Sequence, residues 1–174
     1  RGLNDAAREY GAFLIGGDTN ECPDLVIACC LFGLCREDEL VLRSGARPGD
    51  ILAVTGNFGL TYLGLKVLLE GLEVGEPVRD KALKAVLMPE ARLKVGIALA
   101  RSGVLTSSID SSDGLAWSLA ELSRASGVGF VVEELPIAPD VAEEAIRLGV
   151  EPAEACFYGG EEYELVLTVK PDAW

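Results

Sequence analysis

Three short loops that combine glycine with acidic residues could carry chemistry in this sequence. The first spans residues 16–19 (Gly-Gly-Asp-Thr) and follows a short apolar run. Glycines allow a nucleotide phosphate to approach the backbone closely, and the carboxylate of Asp18 could hold a metal ion beside that phosphate. A turn with a purely structural role explains the same four residues, so the loop alone does not decide between the two.

The second loop spans residues 110–114 (Asp-Ser-Ser-Asp-Gly) and precedes an apolar helical pattern. Its two carboxylates, Asp110 and Asp113, repel each other in a tight loop, and a shared hard cation with oxygen ligands would neutralise that repulsion. Alternatively, Ser112 or Asp113 serves as the N-cap of the following helix, which requires no metal.

The third loop spans residues 159–164 (Gly-Gly-Glu-Glu-Tyr-Glu) and places three acids around a tyrosine. Carboxylates attract positive charge and accept hydrogen bonds, so this loop could bind a cationic or hydroxylated ligand. An edge strand protected by exposed charge is the alternative.

Two further features have weaker chemical signals. Residues 56–59 (Gly-Asn-Phe-Gly) lie between a strand and a helix, as phosphate loops do, but they lack the lysine and serine of a P-loop. Tight packing is the favoured role there. Arg43 lies in a loop and could pair with a phosphate, although a surface arginine is the ordinary explanation.

The charge balance restricts the partners. Among 174 residues there are 15 Lys and Arg against 28 Asp and Glu, a net charge of −13, and no basic run. Binding to nucleic acid or to an anionic membrane needs clustered basic residues, so we expect neither partner. An acidic protein can still bind phosphates when metal cations lie between its carboxylates and the ligand.

Histidine and cysteine usage restricts the mechanism. The sequence has no histidine, which removes Ser-His-Asp and Cys-His schemes and histidine-based zinc sites from these residues. Five cysteines, an odd number, occur without metal-binding spacing, and we predict buried reduced thiols and a cytoplasmic protein. The longest apolar run, 25–35, is too short to span a bilayer and is read as a buried strand.

The elements that must position the loops alternate between strands and helices. Apolar spacing predicts strands at 12–15, 25–34, 51–55, 107–110, 129–133 and 163–169, and helices at 2–10, 60–70, 78–87, 91–101, 115–125, 139–148 and 152–157. This order predicts an α/β (α+β) domain with a mixed sheet and flanking helices. The sequence opens on Arg1 inside a helical pattern and stops shortly after a strand, so we expect a fragment of a longer protein.

Taken in order, residues 14–19, 43–50, 108–115 and 159–165 resemble the signature segments of thiamine-monophosphate kinases. These enzymes belong to an ATP-binding superfamily that also includes aminoimidazole ribonucleotide (AIR) synthetase, selenophosphate synthetase and the hydrogenase maturation factor HypE. Each segment is weak alone, but four in this order and spacing are specific, and the resemblance covers essentially the whole chain.

The resemblance implies the architecture and the reaction. Residues 1–34 would be the remnant of an N-terminal AIR-synthase-like domain that dimerises, and residues 35–174 a truncated C-terminal AIR-synthase-like domain, with ATP bound between the two. The implied activity is transfer of the ATP γ-phosphoryl group to thiamine monophosphate with Mg²⁺, which gives thiamine diphosphate and ADP in thiamine biosynthesis. The enzyme would be a cytoplasmic homodimer.

The resemblance also implies site roles, with no residue assigned as acid or base. Gly17, Asp18, Arg43 and Ser112 would bind ATP; Asp18, Asp110 and Asp113 would hold magnesium; Glu161 would face the cationic thiazolium of the substrate. In the last of the four segments, Glu162 replaces the aspartate that the family usually has.

Further acidic motifs of the family would precede Arg1, and an aromatic residue that packs the substrate would follow Trp174, so the resemblance implies little activity for the fragment itself. The alternatives are another superfamily enzyme, HypE-like or selenophosphate-synthetase-like, and a non-catalytic nucleotide-binding or oligomerisation module in which the acidic loops only cap helices.

Overall fold

The computed structural model describes every residue from Arg1 to Trp174. Contacts between Cα atoms divide the chain into two compact units, Arg1–Arg36 and Glu37–Trp174.

The first unit contains one helix, α1 (Gly2–Glu9), as its apolar spacing predicts. The strands predicted at 12–15 and 25–34 are wrong, because residues 12–36 form neither helix nor strand. Backbone donors and acceptors of a strand need a neighbouring strand, and no other segment of this unit supplies one. The apolar side chains of Leu25 and Phe32 are accordingly exposed.

The cysteines follow the same division. All five are free, but only Cys156 is buried. The prediction of buried thiols is therefore wrong for the four in the first unit, at 22, 29, 30 and 35. Those residues were expected to lie in or near a buried strand, and that strand does not form.

The second unit is built on a three-stranded sheet. Its strands are β1 (Ile51–Val54), β2 (Leu105–Asp110) and β3 (Leu165–Val169), in the order β1-β3-β2. Both pairings within the sheet are antiparallel, and the parallel pairing is an isolated bridge between Phe58 and Ile137. The α/β class is confirmed, but the mixed sheet predicted from the sequence is wrong, because both pairings of the observed sheet are antiparallel.

The strand predicted at 129–133 is wrong. This segment forms no hydrogen-bond ladder with β1, and residues of both line one cavity of about 630 Å³. Within the segment, Phe130 packs against the apolar core while Val131 is exposed, so a side-chain contact holds the segment without strand pairing.

The second unit has six helices, and each predicted one is confirmed: α2 (Leu60–Glu70), α3 (Val78–Leu87), α4 (Leu93–Ser102), α5 (Leu115–Ser126), α6 (Pro139–Arg147) and α7 (Pro152–Phe157). Proline opens α6 and α7, where its missing N–H costs no helical hydrogen bond. No helix of the chain has the length and apolarity needed to cross a bilayer.

Two apolar clusters form the core of the second unit. One lies between the sheet, α5 and α7 and contains Phe58, Ile109, Leu115, Leu122, Cys156 and Val166. The other joins α2, α3 and α6 and contains Leu63, Val74, Val78, Ala82 and Val141. The first cluster holds the end of β2 against the beginning of β3, and that junction positions the candidate site.

Candidate active site

Two of the three acidic loops meet at one end of the paired strands β2 and β3. Asp110 at the end of β2 pairs with Leu165 at the start of β3, because the two strands are antiparallel. Beyond that pair, three backbone hydrogen bonds join the loops: Ser111 N to Glu164 O at 2.8 Å, Tyr163 N to Ser111 O at 2.9 Å, and Glu161 N to Ser112 O at 2.8 Å. Residues 110–114 and 159–164 therefore form one site.

Glycines make this close approach possible. Gly114 has φ +92°, and a Cβ atom there would lie 2.8 Å from the carbonyl oxygen of Phe157. A Cβ on Gly160, φ +95°, would lie 3.1 Å from the carbonyl oxygen of Ser112. Any side chain at Gly114 would force the loops apart and strain a backbone that L-residues rarely adopt.

Helix capping does not explain the paired aspartates. The N-cap of α5 is Gly114, and no side chain makes a capping hydrogen bond there. Ser112 instead donates weakly to Asp113, with Oγ 3.4 Å from Oδ2. The capping role considered for Ser112 and Asp113 is therefore wrong, and neither aspartate is buried, which leaves their oxygens available to a ligand.

Negative charge is concentrated around Tyr163. Its hydroxyl donates to Glu161 Oε2, and this hydrogen bond raises the pKa of Tyr163 above its ordinary value. Burial raises the same pKa further, as do the charges of Glu161, Asp110 and Asp113. Three carboxylates thus raise the pKa of one phenol, and their combined negative charge makes this end of the sheet attractive to cations.

The donor set fits magnesium in part. No group of three or more acidic or cysteine side chains is close enough to hold a metal ion by itself. Magnesium, however, commonly takes one or two carboxylates and completes its shell with water and phosphate oxygens. Asp110 and Asp113, both near enough to Tyr163 to raise its pKa, supply the one or two carboxylates that this arrangement needs.

The other predicted ATP ligands lie in different places. Arg43 and Asp110 line the same cavity of about 510 Å³, and the Arg43 guanidinium is 3.9 Å from Glu121 Oε2. Gly17 and Asp18 belong to the first unit and are exposed; the carboxylate of Asp18 accepts hydrogen bonds from Thr19 N at 2.9 Å and Asn20 Nδ2 at 3.1 Å.

An adjoining cavity of about 520 Å³ has Asp110 and Tyr163 in its wall. Its remaining walls are mainly apolar side chains of α4, including Leu93 and Ile97. Apolar walls with a few polar groups at one end suit an organic ring that carries a polar substituent.

Sequence reasoning missed the buried network behind the loop. Glu164, considered above as a ligand-binding acid, is 5% exposed and accepts hydrogen bonds from Arg92 and from Thr55 Oγ1, the latter at 2.6 Å. A Cβ on Gly56 would lie 2.5 Å from Glu164 Oε1, so glycine is required there. Glu164 is therefore a structural acid, and no local sequence signal pointed to Arg92 as its partner.

The loop at 56–59 packs, as favoured from the sequence. Phe58 is fully buried, and its N–H donates to Pro136 O at 2.6 Å. This contact leaves the loop no freedom to wrap a phosphate.

Comparison with known proteins identifies similar chains. The family described as AIR synthase related protein, C-terminal domain, matches residues 47–174. Thiamine-monophosphate kinases from Synechococcus elongatus and Pyrococcus horikoshii are 39% and 38% identical over 99% and 97% of this chain. The matches cover 53% and 52% of those proteins, so the chain spans about half the length of these curated relatives.

Solved structures agree with these matches. AaThiL complexed with AMPPCP and TMP is 32% identical, with a TM-score of 0.68 over 77% of this chain and 43% of that one. The protein tt0281 from Thermus thermophilus is 36% identical, with a TM-score of 0.76 over 99% of this chain and 54% of that one. E. coli HypE, at 22% identity and a TM-score of 0.60 over 76% of this chain and 39% of that one, shares the fold alone.

Proposed function

We propose that this chain, which belongs to the AIR synthase related family through its C-terminal domain at residues 47–174, forms part of a thiamine-monophosphate kinase. In the proposed reaction, a phosphate oxygen of thiamine monophosphate forms a bond to the γ-phosphorus of ATP. The bond between that phosphorus and the β–γ bridging oxygen breaks, which gives thiamine diphosphate and ADP.

The pair Asp110 and Asp113 carries the proposal. These carboxylates cap no helix, lie beside Glu161 and Tyr163, and are joined to that loop by backbone hydrogen bonds. Phosphoryl transfer asks a protein mainly to align two anions and to stabilise charge, so a site without histidine is sufficient. Magnesium, when bound, neutralises the charge that spreads over the transferred group.

Each site residue has a role in this proposal. Asp110 and Asp113 hold magnesium, and Ser112 between them contacts ATP. Arg43, which shares a cavity with Asp110, pairs with the nucleotide. Glu161 faces the cationic thiazolium of the substrate, to which a carboxylate is electrostatically complementary.

The first unit contributes the remaining nucleotide ligands. Gly17 contacts ATP, and Asp18 binds both ATP and magnesium. Residues 1–34 then belong to an N-terminal domain and residues 35–174 to the C-terminal domain. The intact enzyme is a cytoplasmic homodimer in this proposal, and the net charge of −13 argues against nucleic-acid or anionic membrane partners.

Replacement of the aspartates tests the function. In the intact enzyme that contains this chain, Asp113→Asn and Asp110→Asn should each reduce ADP formation from ATP, Mg²⁺ and thiamine monophosphate by about a hundredfold or more. Asp80→Asn, on the exposed side of α3, is the matched control and should leave turnover unchanged. Unchanged turnover in both site variants would contradict the proposal, as would a wild-type enzyme that binds no ATP in calorimetry with magnesium.

A further inference from the structure

Glu162 occupies an unusual place in the acidic loop. The residues on either side of it, Glu161 and Tyr163, have left-handed backbones with φ of 62° and 53°. Residues other than glycine rarely adopt this backbone region, so surrounding contacts must hold the loop in place. The backbone hydrogen bonds from these two residues to Ser112 and Ser111 supply part of that restraint.

The side chain of Glu162 turns away from the exposed carboxylates of the acidic loops and into the protein. Both carboxylate oxygens are inaccessible to solvent, and the loop closes tightly over them, since a Cβ on Gly159 would lie 2.5 Å from Oε1. The carboxylate of Glu162 is therefore enclosed, whereas Glu161 beside it is exposed.

The Glu162 carboxylate lies at the first turn of α2. That helix begins after Gly59, and no side chain caps it. The Gly59 amide and the Thr61 hydroxyl are near enough to lower the pKa of Glu162, yet neither makes a hydrogen bond of good geometry. An acid from a distant loop thus lies beside a helix N-terminus, but burial outweighs the favourable effect of that position on its charged form.

Other elements also face this carboxylate. From α7, the thiol of Cys156 lies close enough that the charge of Glu162 helps to raise its pKa. Lys81 and Lys84 on α3, together with Glu90 and Arg92, line the same cavity of about 270 Å³ as Glu162. Burial is the main influence and raises the pKa of Glu162 to about 7.

We propose that Glu162 is a positioning residue: seated against the first turn of α2, it fixes the left-handed backbone of Glu161 and Tyr163 and so aims Glu161 at the phosphoryl acceptor. The inference rests on the proposed function for the identity of that acceptor. The anchoring itself can be tested without any reaction.

Amide hydrogen exchange in the intact enzyme tests the anchoring. Glu162→Ala should speed exchange at the Glu161 and Tyr163 amides about tenfold, because opening of the loop breaks their bonds to Ser112 and Ser111. The amide of Leu167, inside β3, should exchange at the wild-type rate and report that the sheet is intact. Equal exchange at Glu161 and Tyr163 in wild type and variant would overturn the proposal.

Steady-state kinetics test the aiming. Glu162→Ala should raise KM for thiamine monophosphate about tenfold and change KM for ATP far less, because only the acceptor contacts Glu161. Glu162→Gln, which keeps the volume and hydrogen-bonding groups, should recover most of that loss even if the alanine variant folds poorly. Glu143→Ala, on α6 and away from the loop, is the control with an unaltered loop.

The outcomes separate the two proposals. Faster exchange with an unchanged acceptor KM would overturn the aiming role. If the wild-type enzyme transferred no phosphate to thiamine monophosphate, the proposed function would be refuted. Faster exchange in the Glu162→Ala variant would still establish the anchoring.

Discussion

The guanidinium of Arg92 binds the buried carboxylate of Glu164 in a two-pronged ion pair, with Nη2 2.6 Å from Oε1 and Nε 2.8 Å from Oε2. Arg92 immediately precedes α4, and Glu164 immediately precedes β3, so one ion pair ties the helix to the loop that carries Glu161. Bidentate geometry restricts both side chains and fixes the loop more firmly than a single hydrogen bond would.

Loss of this pair should destabilise the second unit. Arg92→Ala leaves the Glu164 carboxylate buried without its charged partner, and we expect a decrease in the free energy of unfolding of about 3 kcal/mol in urea titrations. Arg79→Ala removes an exposed pair with Glu76 and should cost less than about 0.5 kcal/mol. Equal decreases in the free energy of unfolding for the two substitutions would show that the buried ion pair stabilises the fold no more than the exposed one.

The contact between α2 and α3 depends on Gly64. A Cβ there would clash with the backbone carbonyl oxygen of Ala82, which cannot rotate away as a side chain could. Gly64→Ala should therefore lower the free energy of unfolding by about 2 kcal/mol, by thermal or urea denaturation. Gly129→Ala is the matched control, because nothing lies within 4 Å of its Cβ position; a stabilised Gly64→Ala protein would refute the close packing.

The cysteines should separate into two classes in alkylation. Burial, and secondarily the charge of Glu162, raises the pKa of Cys156 to about 11, so almost none of its thiol is ionised at neutral pH. Mass spectrometry after a brief treatment with iodoacetamide should find Cys22, Cys29, Cys30 and Cys35 modified and Cys156 intact. Denaturant should expose Cys156 to the reagent; rapid modification in the native state would show that α7 is open.

Stability should fall as the pH rises because of Glu162. Burial raises its pKa from 4.5 to about 7, so the folded state binds the proton more tightly than the unfolded state does. Its stabilising contribution is therefore complete below pH 4.5 and is lost as the pH rises to about 7.

We expect the free energy of unfolding of wild type, measured relative to Glu162→Gln, to decrease by roughly 2 kcal/mol across that window. Glu143→Gln is the control outside the loop. The pKa of Glu144, lowered to about 2 first by its hydrogen bonds from Arg147, gives an opposite slope, but only at lower pH. A flat difference between pH 4.5 and 7 would mean that Glu162 is solvated.

Substrate recognition by Glu161 should be selective. In the proposed enzyme, Glu161→Gln removes the charge that faces the thiazolium, and we expect binding of thiamine monophosphate to weaken about tenfold while ATP binding changes little. Calorimetry with each ligand separately measures the two effects. Comparable losses for both ligands would contradict the assigned role.

Short-range patterns in the sequence determined the helices and the candidate loops of this protein. Each helix was predicted from apolar spacing, because an α-helix completes its backbone hydrogen bonds within one segment. The glycine-containing acidic loops were equally visible, since residue type alone marks a turn that can approach a phosphate. Net charge and the lack of histidine narrowed the chemistry without any knowledge of the fold.

Tertiary structure decided the features that need a distant partner. The segments at 25–34 and 129–133 have strand-like composition, yet they form no strand because no neighbouring backbone pairs with them. The same dependence governs the site: only the pairing of β2 with β3 joins Asp110 to the loop of Glu161, and only the fold gives Glu164 the arginine that makes it structural. Such contacts join residues far apart in the chain, so short-range sequence patterns do not predict them.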